Sequence, residues 1–419
     1  MAFANRRAGF RLYRTHVCAV VLLAATTVLL SGCGNFFSCE GKADCPTTCV
    51  ASSTVTCPPT GGSGTGTGSG TGSGSSVDYV YIANSATAAT SLDGYNLSSG
   101  ALTVATDAPF PLTFVPTSAV ITPSDSFMYI ASDAALNTAN PGEGFIFGYS
   151  IGTGGALKTL GGGDPQIDEN DSALAISPDG QWLFTLPDVA LTINEYPITA
   201  STGALGQLEN DYPLSSAPTG TITPVSLAVA PSGEYFAAAL ATGGANVYPF
   251  DTTTGASPTG QSGVVINPGN AASGIYALAF DNNNFLYCVG TAGLQVFSVT
   301  SGATVTLVKT YPVGNGPRSI VINSASTYLY VGNDTDGTIS GYSIGTNAAL
   351  TALAGSPYAA PSSVDALAID STGKYVIASG YNASSGIQLY TIGSAGALTP
   401  TASAGDGTAG VPSAIAATH

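Results

Sequence analysis

A four-residue apolar run recurs seven times in the sequence: Ala119-Val-Ile-Thr, Ala173-Leu-Ala-Ile, Ser226-Leu-Ala-Val, Ala277-Leu-Ala-Phe, Ser319-Ile-Val-Ile, Ala366-Leu-Ala-Ile and Ala414-Ile-Ala-Ala. Successive runs start 54, 53, 51, 42, 47 and 48 residues apart. Each is short, uncharged and bounded by turn residues, the pattern of a strand buried on both faces. A turn such as Ser177-Pro-Asp-Gly180, Pro231-Ser-Gly233 or Ser371-Thr-Gly373 follows most of them. Pro, Asp, Ser and Gly supply the dihedral angles and local hydrogen bonds that reverse a chain. An aromatic-rich strand comes next, as in Tyr79-Val-Tyr-Ile, Phe127-Met-Tyr-Ile, Trp182-Leu-Phe, Phe285-Leu-Tyr and Tyr328-Leu-Tyr-Val. A third strand follows, as in Phe145-Ile-Phe-Gly-Tyr-Ser and Ile387-Gln-Leu-Tyr-Thr-Ile. Variants of Gly-Ala-Leu-Thr at Gly100, Gly155, Gly203 and Gly396 then lead into a fourth. No segment in this region carries a 3.6-residue apolar period, so almost no helix is expected.

Four short antiparallel strands per unit predict an all-β fold over residues 77–419, a seven-bladed β-propeller of four-stranded antiparallel blades. The first unit begins at Tyr79 with what is elsewhere the second strand, and an orphan first strand, Ser413–Thr418, follows the last unit. Pairing the two completes seven blades and closes the ring. Closure removes the unpaired blade edges that would otherwise template aggregation.

The segment ahead of the repeats has a different composition. Arg6, Arg7, Arg11 and Arg14 precede an uncharged run from Val17 to Leu30, the layout of a secretory signal peptide over residues 1–32 and too short for a spanning helix. The run ends at Leu30-Ser31-Gly32-Cys33, which resembles the lipobox of bacterial lipoproteins and implies acylation of Cys33. The expected partner is then a membrane, held through the N-terminal lipid, because several acyl chains anchor stably where one does not. Gly34 rather than Asp follows, which by resemblance to lipoprotein sorting favours the outer membrane of the bacterial cell envelope. Residues 33–60 form a lipidated Cys-rich membrane-proximal segment. In an exported protein Cys39, Cys45, Cys49 and Cys57 read as two disulfides with three pairings open. A zinc site is the alternative, although the paired C-x2-C knuckles are missing. Residues 61–76 contain only Gly, Ser and Thr and read as a flexible linker. Cys288, inside an apolar strand, is expected to be a buried free thiol.

Charge narrows the partners. The chain has 9 Lys+Arg against 25 Asp+Glu, and removing the four signal-peptide arginines leaves five basic residues and a formal charge near −20. Nucleic acid needs a basic footprint and is excluded. Only 8% of residues are charged, against roughly 25% in an ordinary domain, so the surface is made of neutral polar side chains. The remaining partner is an unidentified small molecule or an envelope protein, with the propeller itself a monomer.

The two histidines, His16 and His419, limit the chemistry further. Gly148-Tyr-Ser150-Ile-Gly152 and Gly341-Tyr-Ser343-Ile-Gly345 match the nucleophile elbow, but both fall on third strands with no following helix and no histidine base. Ser371-Thr-Gly-Lys374 occupies a hairpin turn rather than a catalytic S-x-x-K. Asp334-Thr-Asp336-Gly337 resembles part of a calcium loop without its downstream Glu, and equally a plain Asp-Gly turn. The candidate cofactor is Ca2+ or Mg2+, with Asp334, Asp336, Asp133 and Glu143 as candidate ligands. Asp164, Asp168, Glu169 and Asp171 read as a solvated acidic loop. The position just before each inner strand holds Ser118, Ser172, Val225, Tyr276, Arg318, Asp365 and Ser413. These residues are expected to ring one mouth of the channel, with Arg318, Tyr276, Asp365, Ser118 and Ser172 as the ligand-binding set. Arg318 and Asp365, on adjacent blades, are placed to pair.

The repeat set resembles the seven-bladed β-propeller lactonase family, including 6-phosphogluconolactonase-like proteins, and more loosely the YVTN-type surface propellers. The resemblance spans about residues 78–418. It is carried by Tyr79-Val-Tyr-Ile-Ala-Asn84, the Tyr-Ser-Ile and Gly-Ala-Leu strand pairs, Ser177-Pro-Asp-Gly180 and Gly316-Pro317-Arg318. It implies lactone hydrolysis with Arg318 as a site residue, Asp365 and Tyr276 being left for acid–base work. The family's Gly-Pro-Arg-His departs here to Ser at 319, which removes the usual proton-transfer group. The scarcity of Lys and Arg argues against a phosphorylated sugar. Two readings therefore stand: a ligand-binding or interaction module working through its channel mouth, and a divergent lactone hydrolase.

Overall fold

The computed structural model describes residues 77–85, 90–135, 144–163, 165–167, 170–188, 191–217, 220–257, 263–267, 273–360, 363–380, 387–404 and 412–419. Residues 1–76, where the signal peptide, Cys-rich segment and linker are expected, lie outside them, with Cys33, Cys39, Cys45, Cys49 and Cys57.

The described strands form seven antiparallel sheets, one per repeat. Blade 2 is typical: inner strand Phe114–Ile121, then Phe127–Ala135, Ile146–Ile151 and the outer Leu157–Thr159. Blades 3 to 7 start with inner strands Asp171–Ile176, Ser226–Val229, Ile275–Phe280, Pro317–Ile322 and Ala366–Ile369. Blade 1 takes its inner strand, Pro412–Ala417, from the far end of the chain, and that strand pairs antiparallel with Asp78–Asn84. Each inner strand packs beside the inner strands of its two neighbours, and the sequence of contacts returns to blade 1, closing the ring. Both elbow-like motifs start on third strands, Ile146–Ile151 and Thr338–Ile344, and end one residue beyond them at Gly152 and Gly345, each followed by a three-residue 3-10 turn rather than an α-helix. The helical content of the described residues is four short 3-10 turns.

The hydrophobic core is divided among the interfaces between blades. Ala83, Leu92, Ile121 and Met128 fill the contact of blades 1 and 2; Phe184, Tyr212, Phe236 and Tyr248 fill that of blades 3 and 4. Cys288 is 1% exposed in the contact of blades 4 and 5, and burial raises its thiol pKa. Because each interface is thin, the polar groups crossing it matter. The buried hydroxyls of Tyr81, Tyr129 and Tyr330 donate to the carbonyls of Gly155, Gly203 and Gly396 at 2.9, 2.8 and 2.7 Å. In each case a second-strand tyrosine reaches the Gly-Ala-Leu turn of the next blade, which accounts for the recurrence of that turn. In blade 3 Trp182 takes over, its Nε1 donating to the Thr252 carbonyl at 2.8 Å. Tyr330→Phe is expected to leave the Gly396 carbonyl without its donor and to lower stability by about 1–2 kcal/mol. Urea unfolding against wild type would measure this, and an unchanged midpoint would show that the clamp contributes nothing.

Candidate functional site

The mouth at the start of the inner strands is shaped by β-bulges. The ladder steps from Ile275 to Ala277, from Pro317 to Ser319, from Asp171 to Ala173 and from Pro412 to Ala414, leaving Tyr276, Arg318, Ser172 and Ser413 as extra residues without a partner opposite. A bulge bends its strand and re-aims the extra side chain. In blades 4 and 7 Val225 and Asp365 hold the same place, their N–H groups donating to the Ala239 and Ser379 carbonyls at 3.0 and 3.1 Å.

Blade 2 corrects one expectation. Its bulge falls between Pro116 and Ser118, so Thr117 is the ring residue and Ser118 sits one step inside, opposite Ala131. Both hydroxyls tie blade 2 to blade 3: Thr117 Oγ1 donates to the Asp171 carbonyl at 2.5 Å, and Ser118 Oγ accepts from the Leu174 N–H at 3.1 Å. The run Ala119-Val-Ile-Thr imitates the other inner strands displaced by one residue, and only the pairing of Ile121 with Met128 fixes the true register.

Arg318 is exposed, and its guanidinium carbon lies 5.2 Å from the centroid of the Tyr276 ring on the neighbouring blade. Such a pair is worth about 0.5–1 kcal/mol at an exposed site and holds the guanidinium above the ring. Asp365, half-buried, stands just before the inner strand of the next blade at the same level. Beneath Arg318 the Ser319 hydroxyl is buried without a hydrogen-bond partner among the described residues. It fits because position 332, opposite it in the ladder, is glycine; a Cβ there would collide with Ser319 Oγ.

The loop carrying Arg318 is held from the Asp334–Gly337 turn. Asp336 accepts from the Asn315 N–H and Nδ2 at 2.7 and 2.9 Å, and these bonds hold its carboxyl below the usual carboxylate range. The Asp334 N–H donates to the Gly316 carbonyl at 2.8 Å. Gly316 has φ +66°, and a side chain there would strike Thr335. Both Asp336 oxygens are thus engaged in shaping this loop. Among the described residues no three His, Cys, Asp or Glu side chains gather as a metal site. Glu143 and the side chains of Asp133 and Ser172 lie outside the described residues, as do Asp164, Asp168 and Glu169. Asp171 is buried at the start of the blade 3 inner strand.

The sequence reading missed Glu195, on the third strand of blade 3. It is 0% exposed; one carboxyl oxygen accepts from Tyr212 Oη at 2.6 Å and Asn210 Nδ2 at 3.2 Å, and Oε1 has no partner. Burial pushes its pKa up to about 7. A single Glu in Thr-Ile-Asn-Glu-Tyr-Pro gives no signal that the outer strand and the next blade will cover it.

Residues 269–365 and, overlapping them, 290–413 match the family model described as lactonase, seven-bladed β-propeller. No curated protein sequence matches the chain. Among solved structures it is similar to a putative 6-phosphogluconolactonase from Bacteroides uniformis, at 17% identity and TM-score 0.67 over 82% of this chain and 99% of the other. The periplasmic gluconolactonase of Pseudomonas aeruginosa follows at 14% identity and TM-score 0.65, over 82% and 99%. A Lactobacillus plantarum protein aligns at 18% and 0.64, over 82% and 100%. At these identities the likeness is one of fold.

Proposed function

We propose that this seven-bladed β-propeller, whose residues 269–413 match the lactonase family model, binds a small, oxygen-rich molecule of lactone type at the mouth around Arg318, Tyr276 and Asp365. The observation that carries this reading is the exposed Arg318 guanidinium poised over Tyr276. All three side chains fall within the family-matched residues. A guanidinium offers paired donors to a carbonyl or carboxylate, and the Tyr276 ring offers an apolar face for the rest of a small ring. The propeller's other basic residues, Lys158, Lys309 and Lys374, lie on outer strands and a turn, so a phosphate would meet one cation.

The family match favours a second reading, hydrolysis. There Arg318 would stabilise the oxygen that gains charge as water adds to the lactone carbonyl, and Asp365 would accept the proton from that water and return it to the ring oxygen as the acyl C–O bond breaks, giving the open hydroxy acid. Titration of the full chain with neutral sugar and aliphatic lactones tests binding. Arg318→Ala is expected to weaken it about 10- to 100-fold, since a hydrogen bond to a charged group is worth about 1.5–3 kcal/mol. Unchanged affinity would overturn the assignment. Lactone turnover, assayed with and without Ca2+ or Mg2+ and lost in Asp365→Asn, separates hydrolysis from binding alone.

The reading also sets the propeller at a bacterial envelope, tethered through a lipidated Cys33 and the 61–76 linker. The sequence Leu30-Ser-Gly-Cys33 supports it. The Asp78 carboxylate accepts from Ser371 N and Oγ at 3.2 and 2.7 Å, and Ser371 lies in a turn at the mouth opposite Arg318.

A further inference from the structure

We infer that the mouth opposite Arg318 is a second binding site, taking a small apolar molecule with a cationic head. Two residues beyond the end of each inner strand, the ladder registers bring one residue per blade to that mouth. Blades 2, 3 and 4 present Pro123, Pro178 and Pro231. Blades 5, 6 and 7 present Asn282, Ser324 and Ser371, and blade 1 presents His419. The ring is therefore divided into an apolar and a polar half.

Two cavities follow that division. One of about 450 Å³ is walled by the three prolines with Ile176 and Val229. The other, of about 320 Å³, is walled by Ser324, Ser371 and Asp370 together with Ile322 and Ala368. Ala417 and His419 line both. Volumes of this order hold drug-sized or smaller ligands, and an apolar wall with a few polar groups is the usual composition of such sites.

The sign of the head group follows from the charges around the mouth. Asp125 faces it through His419, whose Nδ1 lies 3.2 Å from the carboxylate. Asp370 accepts from the N–H groups of Lys374 and Tyr375 at 2.8 and 2.6 Å, and Asp78 is bonded to Ser371 beside it. Lys374, at the far side of its turn, and His419 are the basic groups facing these carboxylates from the turns around this mouth. An ammonium bound in the polar half with its apolar body against the prolines satisfies both walls; a carboxylate would meet like charge.

Calorimetric titration of the full chain with hexyltrimethylammonium, hexan-1-ol and hexanoate tests this. The ammonium is expected to bind about tenfold more tightly than the alcohol at low salt and to lose that margin in high salt, and hexanoate to give no saturable heat in Arg318→Ala, where the other mouth cannot hold its carboxylate. Val229→Phe, which fills the apolar cavity, should weaken ammonium and alcohol alike, and Asp370→Asn, in the wall of the polar cavity, should reduce the ammonium preference alone. Pro231→Phe, on an exposed turn, serves if Val229→Phe melts early. Arg318→Ala should leave the ammonium and alcohol titrations unchanged. Equal binding of the three probes, no saturable binding of the ammonium, or its loss in Arg318→Ala overturns the inference, the last by moving the site to the other mouth.

Discussion

Glu195→Gln is expected to make the propeller more stable than wild type at pH 8 and no more stable at pH 4.5. In the folded chain the carboxyl is fully buried, its Oε1 has no partner, and its pKa stands at about 7 against an ordinary 4.5. Burial is the main cause; the bonds from Tyr212 and Asn210 pull the other way, and Glu209 adds a smaller upward push. A folded-state value above the unfolded one means that the native state holds its proton while the unfolded chain has released it. The stabilisation is complete below about pH 4.5 and is lost as pH rises through 7. At about 1.4 kcal/mol per pKa unit, wild type forfeits on the order of 3 kcal/mol across that window. Glutamine keeps an oxygen for Tyr212 and has no proton to lose. Urea midpoints of the two proteins, taken at half-unit steps from pH 4.5 to 8.5, isolate the site from the general repulsion of an acidic chain, which both share. Parallel curves would show that Glu195 does not titrate in this window. Since Glu195 lies on a third strand, away from the bulged ends of the inner strands, ligand affinity at the Arg318 mouth should be equal in the two proteins.

What the sequence reveals and what it hides divides along a physical line. The inner strands are legible because crowding around an axis demands small, uncharged residues in every repeat, and the seam is legible because the first unit lacks a strand that the last has to spare. The ring position is legible in six blades. It slips in blade 2, where Thr117 and Ser118 are both small hydroxyl residues and a one-residue shift leaves the apolar pattern intact. Adjacency of Tyr276, Arg318 and Asp365 also follows from blade order, but the sequence pairs Arg318 with Asp365 by charge alone, while the bulges lay the guanidinium on the Tyr276 ring. The turns at the opposite mouth read as punctuation between strands. Only with every inner strand in register do Pro123, Pro178 and Pro231 gather on one side and Ser324 and Ser371 on the other. Glu195 is the extreme case, because its environment comes from Tyr212 on another strand and from the next blade.

Truncation after residue 411 is expected to abolish cooperative unfolding, and moving residues 412–419 to the front of the chain is expected to restore it. The inner strand of blade 1 pairs Ala417 with Val80, Ile415 with Ile82 and Ala414 with Ala83. Thr418 extends the seam: its N–H donates to the Tyr79 carbonyl at 3.0 Å, and its hydroxyl accepts from the Tyr79 N–H at 2.9 Å. The same strand contributes Ala416 to the core between blades 1 and 2 and Ile415 to that between blades 7 and 1. Removing it therefore opens two of the thin interfaces and exposes the edge of Asp78–Asn84. A loss of that extent is comparable with the whole stability of a typical domain, about 5–15 kcal/mol, and the bared edge invites aggregation. In blade 2 five residues, Thr122–Ser126, join the inner strand to Phe127, and Val80 stands where Met128 does. Joining His419 to Val77 through one glycine gives blade 1 the same five-residue turn: Thr418, His419, the glycine, Val77 and Asp78. A chain running 412–419, glycine, 77–411 thus keeps every strand pair and exchanges one connection for another, a change of loop-closure entropy of about 1 kcal/mol or less. Its urea midpoint should match that of residues 77–419, while residues 77–411 alone should show no sharp transition. A truncated chain that unfolds as cooperatively as the whole would mean the seam is dispensable. A permuted chain that fails to fold would mean that the N-terminal position of Asp78–Asn84 matters for more than closing the ring.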